Sequence, residues 1–329
     1  MKYTEWRDEL EHFLIDVSED ERKRVIDYYS EMYADKRDAG LSEDEAVAQF
    51  GAPYDAAKKI LAEENEDSPR ESEGKNKDKK EKDDAEADKT LTFVSEGGID
   101  CIKIECAIGR AYMRFYDGDR VKVEYPATSL LEYTVEQKGG KIHIKYKANI
   151  KTFTLKNKKV PDIVIDMPRG LTADCEINVS AGKLCLESGE YGNITGEISA
   201  SAVDMRDITC SDMRLTLDAG ALSAGEIICH RFEAEVNAGK LDIEQINGSD
   251  AKLNVNAGKA TVNSIDSRRT SIDVSAGAAV ITLCGKKEDF DIDISKTLGS
   301  CNIKSSASDS GKSLSARVNF GSLSVNFKD

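Results

Sequence analysis

The chain has 329 residues, 61 acidic against 46 basic, a net charge of −15 and a mean hydropathy of −0.47. That length holds more than one domain, and the acidic excess is concentrated in residues 1–66 (19 acids, 9 bases), which argues against direct nucleic-acid binding there. No run approaches the roughly 18 apolar residues of a transmembrane segment, and the charged start MKYTEWRDELEHFLID is not a signal peptide, so a cytoplasmic chain is expected.

Residues 4–17 place Trp6, Leu10, Phe13, Leu14 and Val17 on one helical face. Ser18 and Glu21 form a capping-box pattern that opens a second helix, whose face is Val25, Tyr28, Tyr29, Met32 and Tyr33 and whose stop is Gly40. Ser42 and Glu45 repeat the cap for a short third helix ending at Gly51. A fourth begins near Pro53 with Ala56, Ala57, Ile60 and Leu61. Residues 1–66 therefore read as a small all-α bundle. Residues 67–90 hold almost nothing apolar and read as a charged, flexible linker.

From residue 91 to 329 the period is two, as in IKIEC, VKVEY, IHIKY and IVIDM. Corners at Gly182, Ser201, Gly220, Gly239, Gly258 and Gly277 then recur every 19 residues, each preceded by Ala. Apolar residues stand at odd offsets before the corner and even offsets after it. The strand phase must slip at the corner, where Gly tolerates the angles of a bend and Ala suits a crowded inner position. The expected fold is mainly β: a β-solenoid of 19-residue rungs behind the small helical bundle. Weaker corners at Gly109, Gly299 and Gly321 extend it. The last steps lengthen to 22 residues, and Phe320 and Phe327 are the expected end caps.

Two resemblances rest on quoted residues. Tyr28-Tyr29, GLSEDEA from Gly40 to Ala46, and FGAP from Phe50 to Pro53 followed by Ala56 and Ala57 resemble the HAAS domain, a bacterial helical signalling module. IVIDMPRGL from Ile163 and the serial SAGKL and NAGKL units resemble the bacterial β-strand-repeat family labelled "putative adhesin", of unknown function. The first resemblance implies a signalling role beside PadR-like transcription regulators. Many relatives carry a transmembrane helix between the two modules, where this chain has its charged segment.

Candidate chemistry is sparse. His12, His143 and His230 are isolated, and no phosphate loop, nucleophile elbow or zinc spacing occurs, so no catalytic, cofactor or metal residue is assigned. Cys210 and Cys229 share a slot on adjacent rungs, close enough in sequence register for a disulfide, with free thiols the expectation in a reducing compartment and pairing the alternative. Outward acids Asp204, Asp218, Asp242 and Asp273 read as a solvated face, as do Lys183, Lys240 and Lys259 after the corners. Tyr28, Tyr29 and Tyr33 are the candidate partner-binding group, and Gly182, Gly220, Gly239, Gly258 and Gly277 the structural corners. The expected function is a non-enzymatic bacterial signalling or scaffold protein that recruits a protein partner, a PadR-like regulator or itself. The alternatives are a cell-surface adhesin or glycan-binding solenoid and, behind these, a carbohydrate-active enzyme.

Overall fold

The computed structural model describes residues 2–14, 19–38, 40–51, 53, 56–57, 89–127, 131–148 and 162–328. It divides into two compact units, Met1–Asp83 and Asp84–Asp329. The first strand begins at Lys89, two residues before the expected start at 91; residues 67–88 of the expected linker lie outside the described residues.

The helical unit contains α1 (Tyr3–Phe13), α2 (Glu19–Asp38) and α3 (Glu43–Ala48). The capping box of α3 forms as its spacing predicts. Ser42 Oγ accepts from the Glu45 amide at 3.3 Å, and the Glu45 carboxylate accepts from the Ser42 amide at 2.9 Å. Gly40 ends α2 at φ +91, and the Leu41 amide reaches back to Lys36 O at 3.2 Å, a Schellman closure. Ser18, Val17, Ile60 and Leu61 lie outside the described residues. Trp6, Leu10 and Leu14 of the predicted α1 face are fully buried, with Tyr3, Val47, Ala56 and Ala57 around them. Trp6 satisfies its indole N–H on Gly51 O at 2.8 Å, so the turn after α3 is tied to the core of α1.

The second unit is one large mixed sheet that curls into a nearly closed, barrel-like body. Its first part holds β1 (Lys89–Val94), β2 (Cys101–Cys106), β3 (Gly109–Tyr116), β4 (Lys122–Ala127), β5 (Leu131–Lys138), β6 (Lys141–Ala148) and β7 (Ile163–Pro168). Beyond these, each 19-residue unit has a leading strand before its corner and a trailing strand after it. Leading strands pair in parallel along Cys175, Ile194, Met213, Phe232, Ala251 and Thr270. Trailing strands pair along Leu184, Val203, Leu222, Leu241, Ala260 and Ala279. Both rows are buried, so the odd-then-even apolar pattern is the inward face of stacked rungs.

Four details differ from the sequence expectation. First, backbone angle does not explain the repeat glycines: among the corners only Gly109, at φ +96, has a positive φ. Close approach explains the rest. Lys240 N donates to Gly220 O at 2.9 Å and Lys259 N to Gly239 O at 3.0 Å, which draws each corner onto the carbonyl of the last. A Cβ on Gly239 would lie 2.3 Å from Gly220 O, and one on Gly258 or Gly277 2.4 Å from the oxygen beneath it. Ser201 fits its slot by turning Oγ onto Val179 O at 2.8 Å. Second, the alanines beside the corners face solvent instead of a crowded interior.

Third, the stack is mixed at its beginning. The Gly109 rung, β2 and β3, sits directly on the Gly182 rung and carries β6 and β7 in parallel on its other side. Antiparallel strands finish that end: β5 on β6, β4 on β7, and β1 on β4. Fourth, spatial order departs from chain order at the other end. The strands Lys312–Val318 and Ser322–Lys328 of the Gly321 rung pair directly with the Gly277 rung. Phe290–Lys296 and Ser300–Cys301 of the Gly299 rung then pair with the Gly321 rung. The later rung is thus inserted between two earlier ones. The expected caps also separate: Phe327 is half-buried against the core and touches Phe290, while Phe320 stands exposed.

Candidate functional site

The tyrosine group on α2 divides into two roles. Tyr33 stacks on Tyr3 with ring centroids 3.9 Å apart, and Tyr29 packs between Trp6 at 4.9 Å and Phe50 at 5.5 Å. These two rings close the helical core, with Val25 beside them. Tyr28 instead stands edge-on to Tyr29 and is 58% exposed. One helical face of five large residues exceeds what a stripe can bury, so the ring at its margin faces water. Around it on α2 lie half-buried Val25 and Met32, with exposed Arg24 and Glu31. The result is a small amphipathic surface with one aromatic at its centre, a composition enriched at protein interfaces.

The outer face of the stacked sheet carries charge ladders at the 19-residue spacing. Glu233 accepts from Arg214 at 3.0 Å and from Lys252 at 2.8 Å, and Arg269 holds Asp250 bidentately. Asn256 donates to Asn237, which donates to Asp218. Of the other outward acids, Asp204 pairs with Lys183 at 3.0 Å, Asp242 with Lys240, and Asp273 with Arg317 at 3.4 Å. Asp204 and Asp242 share one column two rungs apart with Ser223 between them, Asp218 and Asp273 stand in other columns, and each of the four engages a different neighbour. His143 Nε2 lies 3.2 Å from Glu105, and His230 Nδ1 lies 3.6 Å from Asp212. Among the described residues, no group of three or more His, Cys, Asp or Glu is placed to hold a metal ion.

Glu105 is the most perturbed carboxyl on this face. Hydrogen bonds from Lys145 and Lys103 pull it down to about 2. Lys145 stands directly opposite it on β6, and Lys103 lies two residues away on the same face of β2. A pKa lower in the folded than in the unfolded chain stabilises the fold above the ordinary carboxylate range. That contribution is lost as pH falls from about 4.5 toward about 2. Replacing Glu105 with Gln is expected to flatten the acid limb of the denaturant midpoint against pH in that window. The effect is modest and shrinks with salt, because the group is near the surface.

The cysteines are all free thiols. Cys210 and Cys229 are buried on adjacent rungs and hydrogen-bond each other, and that contact with burial raises the Cys210 thiol far above its ordinary value. Cys106 is pushed up to about 11 and Cys185 to about 12, chiefly by burial, so they behave as small apolar filler. The small corner residues Ala181, Ala200, Ala219 and Ala238 line an open trough of about 600 Å³. It follows from the corner geometry and is bordered by a single long polar side chain, Lys240.

A family model described as Toastrack DUF4097 matches residues 103–324, and one described as HAAS matches residues 5–59. The chain is also similar to solved structures. One described as a "putative adhesin" from Bacteroides fragilis is 12% identical, with 73% of this chain and 97% of that chain covered and a TM-score of 0.42. Another from Parabacteroides distasonis, described in the same words, is 11% identical, with 73% and 98% covered and a TM-score of 0.37. A "putative cell adhesion protein" from Clostridium sporogenes is 14% identical, with 73% and 100% covered and a TM-score of 0.24. No curated protein matches the chain.

Proposed function

We propose a scaffold role from this premise: the chain belongs to the toastrack DUF4097 family and carries a HAAS domain ahead of that sheet. The helical unit recruits a protein partner, and the sheet, a β-solenoid through its 19-residue rungs, serves as a rigid body on which an assembly is built. The observation that carries this reading is Tyr28, exposed at the centre of an amphipathic patch while its neighbours Tyr29 and Tyr33 close the core. The partner class is a PadR-like transcription regulator, given the PadR-associated systems in which HAAS domains are known. No described helix is long and apolar enough to cross a membrane, and the proposed setting is the cytoplasm.

The role is non-enzymatic. Support for this comes from the outward acids, each held by a neighbouring cation or amide instead of facing a second carboxylate across a cleft. The test is calorimetric titration of the full chain with a purified PadR-like transcription regulator. Tyr28→Ala is expected to weaken binding at least about tenfold, as loss of a central aromatic does, with an unchanged melting midpoint. Equal affinity of wild type and variant, or no binding by either, defeats the reading.

A further inference from the structure

We infer that β1 (Lys89–Val94) pairs antiparallel with β1 of a second copy of this chain, about a two-fold axis at Thr92. The argument begins with which groups β1 leaves open. β1 lies on β4 in the register Leu91↔Tyr125, Phe93↔Val123. Just beyond it the Ser95 amide donates to Val121 O at 2.9 Å, and Ser95 Oγ accepts from the Val121 amide at 3.0 Å. Antiparallel ladders alternate, so this bond sets the phase. The amides and carbonyls of Leu91 and Phe93 face β4, and those of Thr90, Thr92 and Val94 face away. Pro126 stands opposite Thr90, at a position where no donor toward β1 is needed. Among the described residues, no strand pairs with the outward side of β1.

The other edges of the sheet are blunted. β5 carries Glu132, Glu136 and Lys138 within eight residues. Phe290–Lys296 is covered by the antiparallel bridge of Ile292 to Ser306, and Ser305 Oγ accepts from the Ile294 amide at 2.9 Å. Ser300–Cys301 is only two residues long. These are the usual protections of a sheet edge. From Thr90 to Ser95, β1 has no charge and no proline, and its ladder with β4 runs without a bulge. It also exposes Leu91 and Val94, at 37% and 42%.

The occupant follows from the strand's symmetry. Centred on Thr92, antiparallel self-pairing sets Thr90 against Val94 and Leu91 against Phe93 of the other copy, and Thr92 against itself. The three outward residues of each strand then exchange about six main-chain hydrogen bonds. Leu91 and Phe93 become an apolar cross-strand pair on one face, beside Tyr125 and Tyr133. Beyond Lys89 at its start, an acidic or basic peptide finds no countercharge from Thr90 to Ser95, whereas a second copy finds a matching row there. This inference is independent of which protein the helical unit recruits.

The experiment is sedimentation of the full chain from low to high micromolar concentration, paired with hydrogen exchange at residue resolution. The wild type is expected to dimerise with concentration. The Thr92 and Val94 amides should then slow at least tenfold, while the Phe93 amide, already paired to β4, stays unchanged. Thr92→Pro removes the donor at the axis and leaves the β4 ladder intact. It is expected to stay monomeric with the wild-type melting midpoint, and Leu91→Lys gives the same result should the proline variant misfold. A monomer at every concentration overturns the inference. So does a dimer that survives both substitutions, or protection of Thr92 and Val94 that is independent of concentration.

Discussion

Replacing Gly239 with alanine is expected to cost about 3 kcal/mol, far more than a methyl group at a surface bend should. The added Cβ would sit 2.3 Å from the carbonyl oxygen of Gly220, which the Lys240 amide holds in place at 2.9 Å. The rung must lift, which sacrifices that hydrogen bond, worth about 1 kcal/mol, and disturbs packing in the rows above and below. The comparison variant is Gly170→Ala. Gly170 has φ +86 with open space around it, so its substitution costs only the left-handed backbone, about 1–2 kcal/mol. Ser201→Gly, at the one corner that already carries a side chain, should fall below both. Denaturant midpoints of the three variants measure the ranking. A larger cost at Gly170 than at Gly239 would mean that backbone angle, and not close approach, selects glycine in this repeat.

Ending the chain at Gly311 is expected to unseat a rung the truncation does not touch. Among the described residues, Phe290–Lys296 pairs in parallel only with Lys312–Val318, and Ser300–Cys301 only with Ser322–Leu323. Removing the inserted rung takes away Leu314, Val318, Leu323 and Val325, all buried. At about 1.5–3 kcal/mol each, the gross loss is on the order of 10 kcal/mol, before the freed chain regains entropy. Hydrogen exchange should show amides 290–301 unprotected and those of the Gly182 to Gly258 rungs intact. If 290–301 stay protected, that rung has dropped one level onto the Gly277 rung, and order in the sheet is decided by neighbours along the chain.

Much of this architecture was legible because the determining force repeats. Identical spacing of Val236, Val255 and Val274 forces them into one inward row, and the register bears this out. The Ser42–Glu45 cap was legible because both partners of that interaction are local. Three things were not. The rung order at Gly299 and Gly321 depends on long-range pairing, and two equal steps of 22 residues carry no information about it. The direction of the corner alanines was hidden because the face alternation breaks at that position. On α2, periodicity assigned Tyr28, Tyr29 and Tyr33 to one face, but burial depends on where α1 and α3 lie, and only Tyr28 was left outside.

The insertion of the Gly321 rung separates synthesis from assembly. Residues 290–301 leave the ribosome before 312–328, yet their seat is built from those later residues. A nascent chain paused between the two holds the Gly277 rung as bare sheet, with a completed segment that has nowhere to dock. Final closure is therefore a keystone step, taken once residue 328 is free to thread into place. Until then the unfinished top is a natural target for a chaperone and for another nascent copy.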